Sequence, residues 1–223
     1  MAKVAVLHTS FVFVTVEPVI TDLIGELIPE AELLHFVDSD VLATVVREQA
    51  ISESSEQRMV FLAEAAEAAG ADVIFSACSS LGPTLDAAQR AVGVPVVKID
   101  EAMAIAAAAY DRIGVLATVP TTLGPTSELI ARRAQGVGRS PQITQRLAPG
   151  AFDTLMRGDR AAHDQMVSEQ AADLGRHVDV IVLAQASMQG LVGRLQEETG
   201  LPVLSSPRMG VELLAQTLRE KTG

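Results

Sequence analysis

The feature that most constrains this chain is that it repeats itself. Displaced by 107 positions, Asp72-Val73-Ile74 falls on Asp179-Val180-Ile181, Ala77 on Ala184, Ser80 on Ser187, and Gly93-Val94-Pro95-Val96 on Gly200-Leu201-Pro202-Val203, without a gap. At a displacement of 109, Val4-Ala5-Val6-Leu7-His8-Thr9 falls on Ile113-Gly114-Val115-Leu116-Ala117-Thr118. Agreement of this kind marks an internal duplication of roughly one hundred residues per half. The chain must therefore fold into something that one half can build and the other can build again.

Within each half, short apolar runs alternate with longer segments carrying helix-start and helix-stop residues. The first half reads as strand 3–9, a helix from about 17 to 28, strand 32–37, and a long helical region from about 39 to 69. A break is expected there at 51–54, where Ser and Glu offer a fresh cap. Strand 72–77, helix 82–92, strand 95–99 and the alanine-rich helix 101–110 follow. The second half repeats the order: strand 112–118, helix 124–134, strand 142–147, helices between 152 and 177, strand 178–184, helix 190–199, strand 202–205 and a final helix 209–220. Strands joined through helices run parallel, with right-handed crossovers. The expected fold is α/β: two doubly wound domains related by a pseudo-twofold, each with a four-stranded parallel sheet, over residues 1–99 and 100–208. Helix 209–220 is free to cross back onto the first domain. Ligands of open parallel sheets bind beyond the carboxyl ends of the strands, so the active site is expected in a cleft between the domains.

Hydrophobic residues make up 48% of the chain and aromatics only 3%. The core must then be Ala, Val, Ile and Leu, which suits helices packed closely on parallel strands. The net charge of −11, with no run of Lys and Arg, argues against nucleic acid or an anionic membrane as partner. Residues 4–16 are apolar, but His8, Thr9 and Ser10 interrupt them and Glu17-Pro18 closes them without a cleavage pattern. A first strand is expected there rather than a signal peptide. No segment reaches the ~18 apolar residues of a membrane helix. The single cysteine cannot form an intramolecular disulfide, in keeping with the reducing cytoplasm.

That cysteine, Cys78, ends an apolar run and is followed at once by Ser79-Ser80-Leu81-Gly82-Pro83. This is the spelling of a strand turning sharply into a helix. A helix start has unpaired N–H groups and partial positive charge, which bind anions and draw a thiol below its usual pKa of ~8.5. In the repeat register the counterpart of Cys78 is Gln185. Four segments end strands: His8-Thr9-Ser10, Cys78-Ser79-Ser80, Thr118-Val119-Pro120-Thr121-Thr122 and Gln185-Ala186-Ser187-Met188. Ser79-Ser80 and Thr121-Thr122 both continue as Leu-Gly-Pro-Thr. Singly these are ordinary helix caps. Together they set hydroxyls, N–H donors and one thiol at four strand ends, which suits a small carboxylate held by neutral donors. No His, Asp or Glu cluster has metal-ligand spacing, so no metal is expected, and the absence of a Gly-x-Gly-x-x-Gly after the first strand argues against a dinucleotide. His8 reads as a ligand-binding or proton-transfer group. Asp38 and Asp40 read as helix caps, and His163 as part of a solvated helix face.

The duplicated α/β halves, the cysteine in a small-residue turn from strand to helix, and the Thr-rich turn after the fifth strand resemble the aspartate/glutamate/hydantoin racemase superfamily over essentially the whole chain. The resemblance implies a cofactor-independent enzyme, commonly a dimer or larger. One cysteine per domain faces each side of a carbon acid, one removing the α-proton and the other returning it. Cys78 then takes the part of the first-domain cysteine, and Thr118, Thr121 and Thr122 that of the turn holding the substrate carboxylate. Ser79 and Ser80 are donors beside the thiol, and His8, Thr9, Ser10, Gln185 and Ser187 complete the binding side. The second-domain motif stands here as Ala184-Gln185-Ala186-Ser187-Met188, with glutamine in place of cysteine. An amide neither takes a carbon-bound proton nor returns one near neutral pH, so Gln185 can only bind or orient. The superfamily also holds arylmalonate decarboxylases, which protonate an enediolate with one cysteine, and maleate isomerases, whose first-domain cysteine attacks the substrate. Proton transfer or nucleophilic attack by Cys78 at the α-carbon of an amino acid, dicarboxylate or hydantoin-like compound is the implied chemistry. A single-cysteine lyase is one alternative, and a non-catalytic carboxylate binder another.

Overall fold

The computed structural model describes residues 2–11, 14 and 18–222. In the first half β1 (Lys3–His8), α1 (Val19–Leu27), β2 (Glu32–Val37), α2 (Val41–Glu48), α3 (Glu53–Ala68), β3 (Val73–Ser76), α4 (Leu85–Ala91) and β4 (Val96–Lys98) follow one another. Then come α5 (Glu101–Ala107), β5 (Arg112–Ala117), α6 (Leu123–Gly136), β6 (Gln142–Leu147), α7 (Ala151–Met156), α8 (Arg160–Gly175), β7 (Val180–Leu183), α9 (Val192–Thr199), β8 (Val203–Ser205) and α10 (Ser206–Thr222). They form two four-stranded sheets, ordered β2-β1-β3-β4 and β6-β5-β7-β8, parallel throughout. The chain divides into two compact units, Met1–Ile99 with Pro207–Gly223, and Asp100–Ser206.

The duplication is visible in the pairing. Ile74 stands opposite Val96 in the first sheet, and Ile181 opposite Val203 in the second. The repeated aspartate has a structural reason. Asp72 Oδ2 accepts the N–H of Lys3 at 2.8 Å, and Asp179 Oδ2 accepts that of Arg112 at 3.0 Å. Each carboxylate thus ties the start of a third strand to the start of its neighbour. The Lys3 N–H holds the Asp72 carboxyl below its ordinary range, as the Arg112 guanidinium does for Asp179.

In the first unit one face of the sheet, with Val4, Val6, Val73 and Phe75, packs on Ile20 and Ile24 of α1 and on Val211 and Leu214 of α10. The other face, with Ala5, Leu7 and Ile74, packs on Val41, Met59, Ala63 and Leu85 of α2, α3 and α4. In the second unit Leu116, Ile181 and Leu183 meet Val167, Ala171 and Leu174 of α8. Each fully buried Val, Leu or Ile stabilises the fold by ~1.5–3 kcal/mol relative to exposure. Gly210 lets α10 seat against the end of β4, because a Cβ there would overlap the Ile99 carbonyl oxygen.

Of the local expectations in the first half, one is met and one needs correction. The break expected at 51–54 in the helical region 39–69 is present: α2 stops at a left-handed Gln49 (φ 52°), and the Ser52 hydroxyl restarts the chain by accepting the Ser55 N–H at 3.3 Å. The helix expected over 82–92 begins instead as a 3-10 turn, Ser79–Thr84, and becomes regular only in α4. Pro83 has no N–H to give a regular ladder, and tight turns of this kind are common at helix starts. Ala186–Leu191 makes the corresponding turn before α9. The first helix begins at Val19 among the described residues, and its expected start at Glu17 lies outside them.

Candidate active site

Beyond β3 the ladder to β1 continues for one residue, with the Ala77 N–H donating to the Leu7 carbonyl at 3.1 Å. Cys78 follows in extended backbone (φ −132°, ψ 110°) at the head of the 3-10 turn. It is half-buried, forms no disulfide and packs on the Ala5 and Leu7 side of the sheet. Ser79 and Ser80 are buried in the turn that follows. One strand over, His8 closes β1 and is 1% exposed, with Thr9 buried and Ser10 half-buried after it. Val4 and Val6 face the α1 and α10 side, and the pleat carries His8 to that same side. His8 and Cys78 therefore leave adjacent strands toward opposite faces of the sheet. His8 Nε2 lies 3.0 Å from Nδ1 of His35 on β2. Burial first, and His35 second, lower the His8 pKa to about 4.

In the second unit Gln185 occupies the same place after β7. Its Oε1 accepts three hydrogen bonds: the Thr118 N–H at 2.5 Å, the Thr118 hydroxyl at 3.0 Å and the Val119 N–H at 2.9 Å. With three donors on the oxygen the amide cannot be turned over, so the NH2 group faces away from the Thr118 turn. The Thr118 hydroxyl hydrogen and N–H are spent on Gln185, which leaves neither for a carboxylate. Thr122 donates to the Val119 carbonyl at 2.9 Å and braces the same turn, in which Thr121 is half-buried. Ser187, Ser205 and Ser206, at the carboxyl ends of β7 and β8, have buried hydroxyls without a partner among the described residues.

Asp38 caps α2 through the Val41 N–H at 3.1 Å and pairs with Arg58. Burial pushes the Asp38 carboxyl up, but Arg58 and the Asp40 and Val41 N–H groups outweigh it and hold the pKa below its usual range. Asp40 does not cap α2 with its side chain. Its carboxylate accepts from the Thr44 hydroxyl at 3.1 Å and pairs with Arg58. His163 lies on no solvated face. It heads the buried stripe His163, Val167, Ala171 and Leu174 of α8, with Nδ1 2.7 Å from Asp164 Oδ1. Sequence reasoning missed His35, whose contact with His8 arises only from strand register, and the buried hydroxyls of Ser205 and Ser206 at the end of β8.

Among the described residues no group of three or more His, Cys, Asp or Glu is placed to hold a metal, and no helix is long and apolar enough to cross a membrane. Two parallel α/β units, each carrying hydroxyls and small turns at its strand ends, define the class of two-domain racemase-like folds. Residues 14–214 match the Asp/Glu/Hydantoin racemase family, and the chain belongs to it. Its fold is similar to a glutamate racemase isoform from Bacillus anthracis (TM-score 0.76, 19% identity, covering 99% of this chain and 82% of that one). It is also similar to glutamate racemase from Francisella tularensis in complex with D-glutamate (TM-score 0.75, 13% identity, 99% and 82%). A glycine-to-cysteine mutant of arylmalonate decarboxylase in its sulfate-associated form matches at TM-score 0.64 and 16% identity, over 99% of this chain and 94% of that one. No curated protein matches the sequence.

Proposed function

We propose that this protein is a cofactor-independent isomerase or racemase-type enzyme acting on a small carboxylate, with Cys78 transferring a proton or attacking at the α-carbon. The observation that carries the reading is the position of the one thiol. It stands half-buried just past the carboxyl end of a central strand, in extended backbone, where open parallel sheets bind ligands. Ser79 and Ser80 beside it, with Thr9 and Ser10 one strand over, supply neutral donors for a carboxylate and for an enediolate-like oxygen, and Thr121, Ser187 and the Gln185 NH2 group offer the same kinds of donor at the strand ends of the second unit. Thr118 and Thr122 serve as the brace that shapes their turn. Family membership and the D-glutamate complex of a similar fold support an amino acid, dicarboxylate or hydantoin-like substrate. The enzyme would work in the cytoplasm as a homo-oligomer, which light scattering of the purified protein checks.

Gln185 favours a second reading, a one-sided lyase of the arylmalonate decarboxylase type. Its amide cannot titrate, and its oxygen is already committed to Thr118 and Val119. The two readings part in one experiment: incubation in D2O with D- and L-glutamate, aspartate, allantoin and phenylmalonate, followed by NMR. Exchange of the α-hydrogen without consumption marks a racemase or isomerase, and release of carbon dioxide marks a lyase. Ligand protection of Cys78 from iodoacetamide with neither reaction marks a carboxylate binder. Undiminished turnover in Cys78→Ala would overturn the mechanism.

A further inference from the structure

The first sheet brings two imidazoles together near its carboxyl end. His8 Nδ1 is buried, with no partner among the described residues, while its Nε2 meets His35 Nδ1 at 3.0 Å. Register explains the contact. His35 stands opposite Val6, two residues before His8, so both imidazoles lie on one face of the sheet, with ring centroids 5.2 Å apart. His35 is exposed. A line of ring nitrogens therefore runs from solvent, across one hydrogen bond, to a sheltered nitrogen at the carboxyl end of β1. Cys78 leaves the neighbouring strand on the opposite face.

We propose that His8 is a second proton-transfer residue, complementary to Cys78, and that His35 is the positioning residue that relays its proton to solvent. The proposal rests on the carbon-acid chemistry argued above and places its second base in the first unit rather than at Gln185. The two neutral tautomers of the pair are the two ends of the step. In one, His8 Nε2–H donates to His35 Nδ1 and His8 Nδ1 carries a lone pair. That lone pair takes the α-proton, and the C–H electron pair stays on the ligand as an enediolate. At the same time the Nε2 proton passes to His35 Nδ1, and His35 Nε2 releases its own to water. Both rings end neutral, with His8 now carrying a proton on Nδ1 that it can return. One proton has moved from ligand to solvent, and no imidazolium has formed at the buried ring. This suits a site where burial disfavours the charged form.

The test uses sodium malonate, a small dicarboxylate with exchangeable α-hydrogens, and the full chain labelled with 15N-histidine. The expected result is that malonate shifts the ring nitrogens of His8 over the same concentrations that slow iodoacetamide labelling of Cys78. Protection of Cys78 with silent His8 signals overturns the relay and leaves the carboxylate site standing. A response of His8 without protection of Cys78 overturns the complementarity of the two groups. Silence of both overturns the carboxylate reading itself. His35→Asn keeps a hydrogen-bonding group beside His8 but cannot pass a proton on. It is expected to slow α-hydrogen exchange of malonate in D2O about 100-fold at saturation, the usual scale of acid–base catalysis, with the midpoint for malonate unchanged. An unchanged rate overturns the part given to His35. Wild-type exchange no faster than buffer overturns proton transfer by either residue.

Discussion

At the end of β3 the chain places Cys78, and at the same register of the repeat, at the end of β7, it places Gln185. The scaffolds around them agree: an aspartate at the strand start, an alanine at its end, a 3-10 turn, then a helix. The chemistry does not. The first unit places a thiol and the His8–His35 pair near its strand ends, whereas the second places an amide and hydroxyl groups there. Duplication preserved what folding needs, a carboxylate that ties two strand starts and a turn that ends a strand. The residues at the strand tips, Cys78 and Gln185, diverged.

The largest expected effect separates the two positions directly. Cys78→Ala should lower turnover by about 10³-fold with little change in stability, since the side chain is only half-buried. Gln185→Ala should lower turnover far less. Comparable losses at both positions in steady-state assays would erase the proposed asymmetry.

Stability should show the reverse. Gln185→Leu removes the acceptor for two backbone N–H groups and a hydroxyl at the Thr118 turn. Each buried donor left unpaired costs ~1–3 kcal/mol, and partial rescue by water brings the expected loss to about 3 kcal/mol in urea unfolding. Gln185→Glu keeps an acceptor and should lose less. If Gln185→Leu unfolds like the wild type, the amide is no brace.

The buried His8 should give the first unit a pH dependence of its own. His8 titrates near 6.5 in the unfolded chain and at about 4 when folded. Between those values the unfolded state binds more protons, so stability falls as pH falls, and nothing is lost above the upper value. From pH 7 to pH 4.5 this amounts to about 2.5 kcal/mol. His8→Gln should remove that part of the slope in urea melts at the two pH values. An unaltered slope would mean that His8 is hydrated in the folded protein.

What the sequence made legible follows from where information is local. The repeat displays the strand order twice, and the apolar run that stops at Cys78 marks a strand end without any knowledge of neighbours. The Ser79–Thr84 turn was misjudged because Gly-Pro spells a helix start but not its pitch. His163 was misplaced because the stripe it heads, through Val167, Ala171 and Leu174, begins with polar residues and has no apolar edge to read. The contacts of His8 with His35, and of Gln185 with Thr118, join residues 27 and 67 positions apart. Both depend on register between strands, which no segment encodes alone.

The smallest effect is the sharpest test of how the second strand ends are used. Thr118→Val deletes one of the three donors on Gln185 Oε1 and keeps the two backbone N–H bonds. The expected loss is that of one net hydrogen bond, about 1 kcal/mol. If the hydroxyl serves only as a brace, the midpoint for a carboxylate ligand should stay where it is while the unfolding midpoint falls. A weakened midpoint with unchanged stability would mean that the hydroxyl turns from Gln185 to the ligand when one binds. The second unit would then recognise the carboxylate through Thr118 itself, and Gln185 would hold that hydroxyl only in the empty site.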